Sequence, residues 1–229
     1  MGEYYVYMII AGVLSIVGFV VSNRLKSKFH HYSQIGLRSG MSGSEIAESM
    51  LRHYQIYDVK VVMGQGFLSD HYNPLTKTVN LSPQVYEGRS VAAAAVAAHE
   101  CGHAVQHANA YSMLQLRSTL VPVVNIAAQA QQFLLIGAFL FINTMPGLLL
   151  VTIIAFAITT LFAFITLPVE FDASRRALAW LDSSGRTQGA EYDGAKDALW
   201  WAAMTYVSAA LSALVMLVYL VLRYLGSRD

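Results

Sequence analysis

The sequence predicts a mainly α-helical membrane protein of four spans that carries a small α+β domain on its cytoplasmic side. Three observations lead there. Apolar residues make up 55% of the 229-residue chain and charged residues only 13%, a balance unusual for an ordinary soluble domain. The apolar residues are gathered into four runs long enough to cross a bilayer. The more polar stretches between them hold nearly all of the positive charge, as cytoplasmic loops do.

Residues 4–21 form the first apolar run, with tyrosines at its start that suit a membrane interface. Arg24, Lys26 and Lys28 follow this run instead of preceding it, and no small-residue cleavage site is evident. It therefore reads as a retained anchor with its N-terminus outside, not as a signal peptide.

Residues 29–117 mix polar and apolar positions with turn signals, the mark of a water-facing domain. Ser42 and Glu45 fit a capping box, and Ile46, Met50, Leu51 and Tyr54 continue it as an amphipathic helix. Asp58 to Met63 reads as a strand, Gly64 and Gly66 punctuate, and Thr76 to Leu81 reads as a second strand. An exposed edge on that second strand could align an extended peptide through main-chain hydrogen bonds; a purely structural hairpin arm accounts for it equally well.

The run AAAAVAAHECGHAVQHA, Ala92 to Ala108, is where chemistry concentrates. Its alanines predict a helix independently of any motif. On that helix His99 and His103, four residues apart, stand on one face and can offer two imidazole nitrogens to one ion, with Glu100 beside them. This His-Glu-x-x-His pattern suits a zinc ion that keeps a position open for water and lowers the water's pKa to about 7. Glu100 is then the proton acceptor and the later donor to a leaving amine. The plain alternative is a chance spacing on a core helix.

Cys101, the single cysteine, excludes an intramolecular disulfide and reads as a small packed residue pointing away from the histidines. His107 is a possible further ligand, but successive positions four apart drift around the axis by about 40°, which fits tetrahedral geometry poorly. In the segment LSDHYNP, His71 or Tyr72 could stabilise an oxyanion, or could simply be solvated or capped loop residues.

Residues 120–167 read as a transmembrane hairpin, Leu120 to Ile142 and Gly147 to Leu167, turning at Asn143 to Gly147. Asn125, Gln129, Gln131 and Gln132 are costly against lipid, so interhelical hydrogen bonding is the first reading and a substrate-facing role the second. The hairpin returns the chain to the side it left. There, in residues 168–197, stands Glu170, the expected third metal ligand, since two histidines need one more and few acids are so placed. Asp172 is placed to pair with Arg175 or Arg176. Glu191 opens a helix that runs into the last span, residues 200–222, with Trp200, Trp201 and Tyr224 as interface aromatics.

Four spans with the N-terminus outside put every Lys and Arg except Arg223 and Arg228 on the inner side, which sets the metal residues on the cytoplasmic face of a cell membrane. The formal net charge is +1 and no basic tract exists, so nucleic acid is not an expected partner.

The set of anchor, SDHYNP, AAHECGHAVQHA, hairpin, LPVEFDASRRAL and last span resembles the bacterial YugP-like neutral zinc metallopeptidases over nearly the whole chain. In layout it is also similar to the HtpX-type membrane proteases. The resemblance implies His99, His103 and Glu170 as Zn2+ ligands, Glu100 as the catalytic acid/base, and a zincin-like cytoplasmic metalloprotease domain. One departure stands out: HtpX-type enzymes carry an aspartate four residues after the ligand glutamate, where this chain has Ser174, whose hydroxyl can still hydrogen-bond a neighbour. The expected function is a membrane zinc endopeptidase acting on membrane or membrane-proximal polypeptides. The alternatives are a non-catalytic zinc-holding scaffold or adaptor and, last, a metal transporter, for which the spans lack ionisable ligands. Substrate identity, oligomeric state and any membrane regulatory partner stay open.

Overall fold

The computed structural model describes residues 2–66, 68–141 and 144–226. The expected turn at Asn143, the hairpin end at Ile142 and the outer-side Arg228 lie outside the described residues. The chain is mainly helical. Among the described residues, four helices are long and apolar enough to cross a membrane, with candidate spans Tyr5–Ser33, Ser112–Leu140, Gly147–Ser183 and Ala190–Gly226.

The chain divides into two compact units. The first comprises Met1–Val21, Leu116–Leu167 and Thr205–Asp229, and the second comprises Ser22–Gln115 and Pro168–Met204. Within the first, Ala138, Leu149, Met216 and Leu220 form a buried cluster with Tyr7 and Leu148 against it. Gln131 Nε2 donates to Thr159 Oγ1 at 2.6 Å and to the Ala155 carbonyl at 3.2 Å. Helix-to-helix hydrogen bonding thus accounts for one of the polar residues of the hairpin, as expected for an amide with no water to bond.

The second unit holds the shorter elements. Helix α1 (Gly2–Ser33) enters it with its basic end, and α2 (Gly43–His53) follows. The capping box forms: Ser42 N donates to Glu45 Oε2 at 2.7 Å and Glu45 N to Ser42 Oγ at 3.3 Å. Two orphan amides of the first turn are thereby satisfied. Ile46, Met50 and Leu51 are buried as their spacing predicts, whereas Tyr54 is the C-cap and lies exposed.

Three strands follow, β1 (Lys60–Met63), β2 (His71–Asn73) and β3 (Thr78–Leu81), then the short α3 (Pro83–Tyr86). The sheet order is β1-β3-β2, with β1 parallel and β2 antiparallel to β3. Of the two readings of Thr78 to Leu81, the exposed edge is overturned and the structural hairpin arm holds. That strand is central, paired on both sides, with Val79 and Leu81 fully buried. The reason lies in the turn after Asn73, whose Oδ1 accepts from Leu75 N at 3.0 Å and Thr76 N at 3.2 Å. Such a side-chain-closed turn folds the HYN stretch back as a hairpin arm on what would have been the free edge. Asp70 fastens the far end of the hairpin by accepting from Ser82 N at 2.7 Å and Ser82 Oγ at 3.0 Å.

Helix α4 (Val91–Ala108) is capped by Ser90, whose Oγ accepts from Ala93 N at 3.3 Å. Its alanines 92–95, 97 and 98 are all buried, and α2 packs on it. Small side chains around a helix let neighbours approach on several sides, which is why an alanine-rich segment serves as the core of this unit. Then come α5 (Ser112–Leu140), α6 (Pro146–Ser183) and α7 (Ala190–Gly226). Helix α6 is unbroken through Pro168, so the residues that follow the apolar run are helical too.

Candidate metal centre

The second unit brings three potential ligands together from α4 and α6. His99 and His103 lie one turn apart, their ring centroids separated by 4.8 Å and their planes at 82°. Glu170, only 2% exposed, reaches both: its Oε2 is 3.3 Å from His99 Nε2 and 3.5 Å from His103 Nε2. Among the described residues, His99, His103 and Glu170 are the group of His, Cys, Asp and Glu whose ligand atoms converge in this way, all within 4.8 Å of one another.

The donor set fits a zinc ion. Bonds of about 2.0–2.1 Å at tetrahedral angles place ligand atoms about 3.3–3.4 Å apart, close to the two separations that Glu170 makes with the histidines, within a set that spans up to 4.8 Å. Two neutral imidazoles and one carboxylate are also the donor chemistry of open zinc sites in hydrolases. A glutamate this deeply buried without a cation or ionic partners carries a large desolvation penalty. The imidazole nitrogens of His99 and His103 are the groups that stand against Glu170 here.

Each histidine is held from behind. His99 Nδ1 is 3.1 Å from Ser174 Oγ, and His103 Nδ1 is 3.0 Å from Gln106 Oε1. Ser174, placed where the HtpX-type pattern has an acid, therefore still bonds the back of a ligand-type histidine. Gln106 Nε2 in turn donates to the Val169 carbonyl at 2.8 Å and to Asp172 Oδ2 at 2.9 Å. Asp172 pairs with both candidate partners, Arg175 and Arg176, the latter through Nε at 2.5 Å. Burial opposes charging of His103, but the Glu170 carboxylate beside it more than compensates and raises its pKa.

Gly102 explains how α6 comes so close. A Cβ built at this position would sit 2.6 Å from the Ala173 carbonyl oxygen, so only hydrogen allows the two helices to meet here. The contact falls between His99 and His103 on one helix and three residues beyond Glu170 on the other. Neither Gly102 nor Gln106 was singled out by sequence reasoning. Gln106 was detectable in principle, standing three residues after His103 on one helical face; Gly102 was not, because its partner lies 71 residues away in sequence.

Glu100 is 8% exposed, on the same helix as the two histidines. Cys101 is fully buried, its Sγ 3.5 Å from the Ala47 carbonyl, and burial pushes its thiol pKa up. It packs against α2, away from the converging ligands. His107 faces elsewhere: its Nδ1 is 2.7 Å from the Tyr72 hydroxyl. Burial, with Asp58 nearby, pushes the Tyr72 pKa up to about 12, so the phenol stays protonated. These two residues line a small separate cavity of about 130 Å³ with Asp58 and Lys77. His71 is exposed and bonded through Nδ1 to the Ser69 carbonyl at 2.8 Å.

Helices apolar enough to cross a membrane, together with two histidines and a glutamate that could hold a metal ion, place the chain with membrane metalloproteins, and comparison with known proteins narrows this. A family described as "Putative neutral zinc metallopeptidase" matches residues 7–225, and the chain belongs to that family. A protein of Bacillus subtilis (strain 168) named "Putative membrane protease YugP" is 41% identical over 213 residues, covering 93% of this chain and 94% of the relative. No solved structure matches the chain.

Proposed function

We propose that the protein is a membrane-embedded, zinc-dependent endopeptidase whose zincin-like catalytic domain faces the cytoplasm and cleaves membrane or membrane-proximal polypeptides. The observation that carries this reading is the convergence of Glu170 Oε2 on both His99 Nε2 and His103 Nε2, at 3.3 and 3.5 Å, from two different helices. Family membership and the relative's name support the same class of activity.

His99, His103 and Glu170 would hold the ion. Bound zinc supplies Lewis acidity and brings the pKa of water down to about 7. Glu100 takes up the proton from the attacking water and delivers it to the departing amine nitrogen, so one carboxylate serves both halves of peptide hydrolysis. Its place next to His99, on a helix buried along its length, holds that carboxyl at a fixed position relative to the ligands. Ser174 and Gln106 keep the imidazoles from turning away. A closed four-ligand site of the scaffold kind could add His107, for instance, but His107 is engaged by Tyr72.

The decisive experiment is Glu100→Gln in the purified full-length protein. Zinc content should stay at the wild-type level while peptide cleavage falls by about 10²–10⁴-fold, and uncleaved polypeptides should co-purify. Undiminished cleavage would remove Glu100 from the mechanism, and absence of cleavage by a zinc-loaded wild type would favour a scaffold.

A further inference from the structure

Gln106 is fully buried, and its amide has no freedom of direction. The nitrogen donates to two groups at once, the Val169 carbonyl and Asp172 Oδ2. A carbonyl oxygen offers no hydrogen, and the Asp172 carboxylate is paired with two guanidinium groups. Turning the amide over would set Oε1 against both acceptors. Oε1 must therefore face His103 Nδ1, and because an amide oxygen only accepts, the hydrogen of neutral His103 must reside on Nδ1. Nε2, aimed at Glu170, is left with its lone pair. His99 is under no such compulsion, since the Ser174 hydroxyl can donate or accept.

We propose that Gln106 is a positioning residue: it dictates the tautomer in which His103 presents Nε2 to the metal, and its own direction is dictated by Asp172 on the ligand-bearing turn of α6. The inference rests on the zinc reading above. One amide thus joins the two halves of the ligand set, bonding the back of His103 on α4 and the backbone carbonyl that immediately precedes Glu170 on α6. Asp172 acts through that amide and touches neither histidine ligand in the contacts it makes with Gln106, Arg175 and Arg176.

The test uses the full-length protein, with zinc affinity read by chelator competition and ligand geometry by the absorption spectrum of the Co2+-substituted protein. Partners behind a ligand histidine are worth about 10–100-fold in metal affinity, so Gln106→Met should weaken zinc binding by that factor and alter the Co2+ spectrum, and Gln106→Glu should weaken it as well. Combining Gln106→Glu with Asp172→Asn returns an amide to the pair with the donor on the other partner, and should recover part of the loss. A purely structural role predicts lowered thermal stability without that recovery, and affinities equal to wild type would overturn the proposal. Should these variants fail to fold, ¹⁵N-histidine NMR of metal-free wild type at alkaline pH decides directly: Nδ1–H at His103 is expected, and Nε2–H there overturns the proposal. A wild type that binds no zinc would instead defeat the zinc reading, leaving the tautomer measurement standing.

Discussion

At Gly102 the absence of a side chain is what lets a carboxylate from α6 reach two histidines on α4. The Ala173 carbonyl occupies the space in which a methyl group would stand. Gly102→Ala should therefore destabilise the protein by about 1–3 kcal/mol, as overpacking does, and weaken zinc binding together with it. Unfolding curves and chelator competition read the two effects, and an alanine variant with wild-type values in both would mean that the close approach of the helices does not depend on this glycine. His103 makes a second prediction at this scale. Its raised pKa means that, without metal, the imidazolium persists above the ordinary histidine value of about 6.5. That proton contributes stability to the metal-free fold below the unfolded value, and the contribution is lost as pH rises through the raised one. Zinc needs the neutral ring, so its apparent affinity should climb with pH and level off only above the raised value. A plateau already reached below the ordinary histidine range would show that the proton does not compete.

At the scale of elements, α6 concentrates the work. Val169, Glu170, Ala173, Ser174 and Ala177 are all buried, positions three and four apart that share a helical face. One element thus supplies a candidate ligand, the close contact with Gly102 and the hydroxyl behind His99. Pro168 removes one backbone donor inside this helix without ending it. How far these elements were legible in the sequence depended on the range of the information. The α4 helix and the Ser42 capping box are local patterns of residue type at fixed spacing, and both form. The nearness of Glu170 to both histidines was legible because two histidines read as a metal pair ask for one more ligand, and a hairpin is expected to bring the chain back to them. Strand β2 could not: three residues, His-Tyr-Asn before a proline, offer no alternation to recognise, and pairing rests on a turn closed by Asn73. Missing that strand is what left the edge reading of the central β3 open beside the hairpin one.

For the whole molecule, the charge asymmetry makes a topological claim that labelling can test. Cys101 is buried, so introduced cysteines report against a quiet background. Leu75→Cys and Ser184→Cys lie at exposed positions of the second unit, and Thr144→Cys at an exposed position after the first hairpin span. A membrane-impermeant maleimide applied to intact cells should label Thr144→Cys alone, and inverted vesicles should reverse the pattern. Labelling of Leu75→Cys or Ser184→Cys from outside would put the proposed metal site on the other face.

The convergence of His99, His103 and Glu170 on one ion is tested most directly by zinc-edge X-ray absorption of the purified, zinc-loaded protein. The expected result is a site of two imidazoles and additional oxygen at about 2.0–2.1 Å, lost on Glu170→Ala. A sulfur scatterer at about 2.3 Å, a spectrum unchanged by that substitution, or no retained zinc would contradict it.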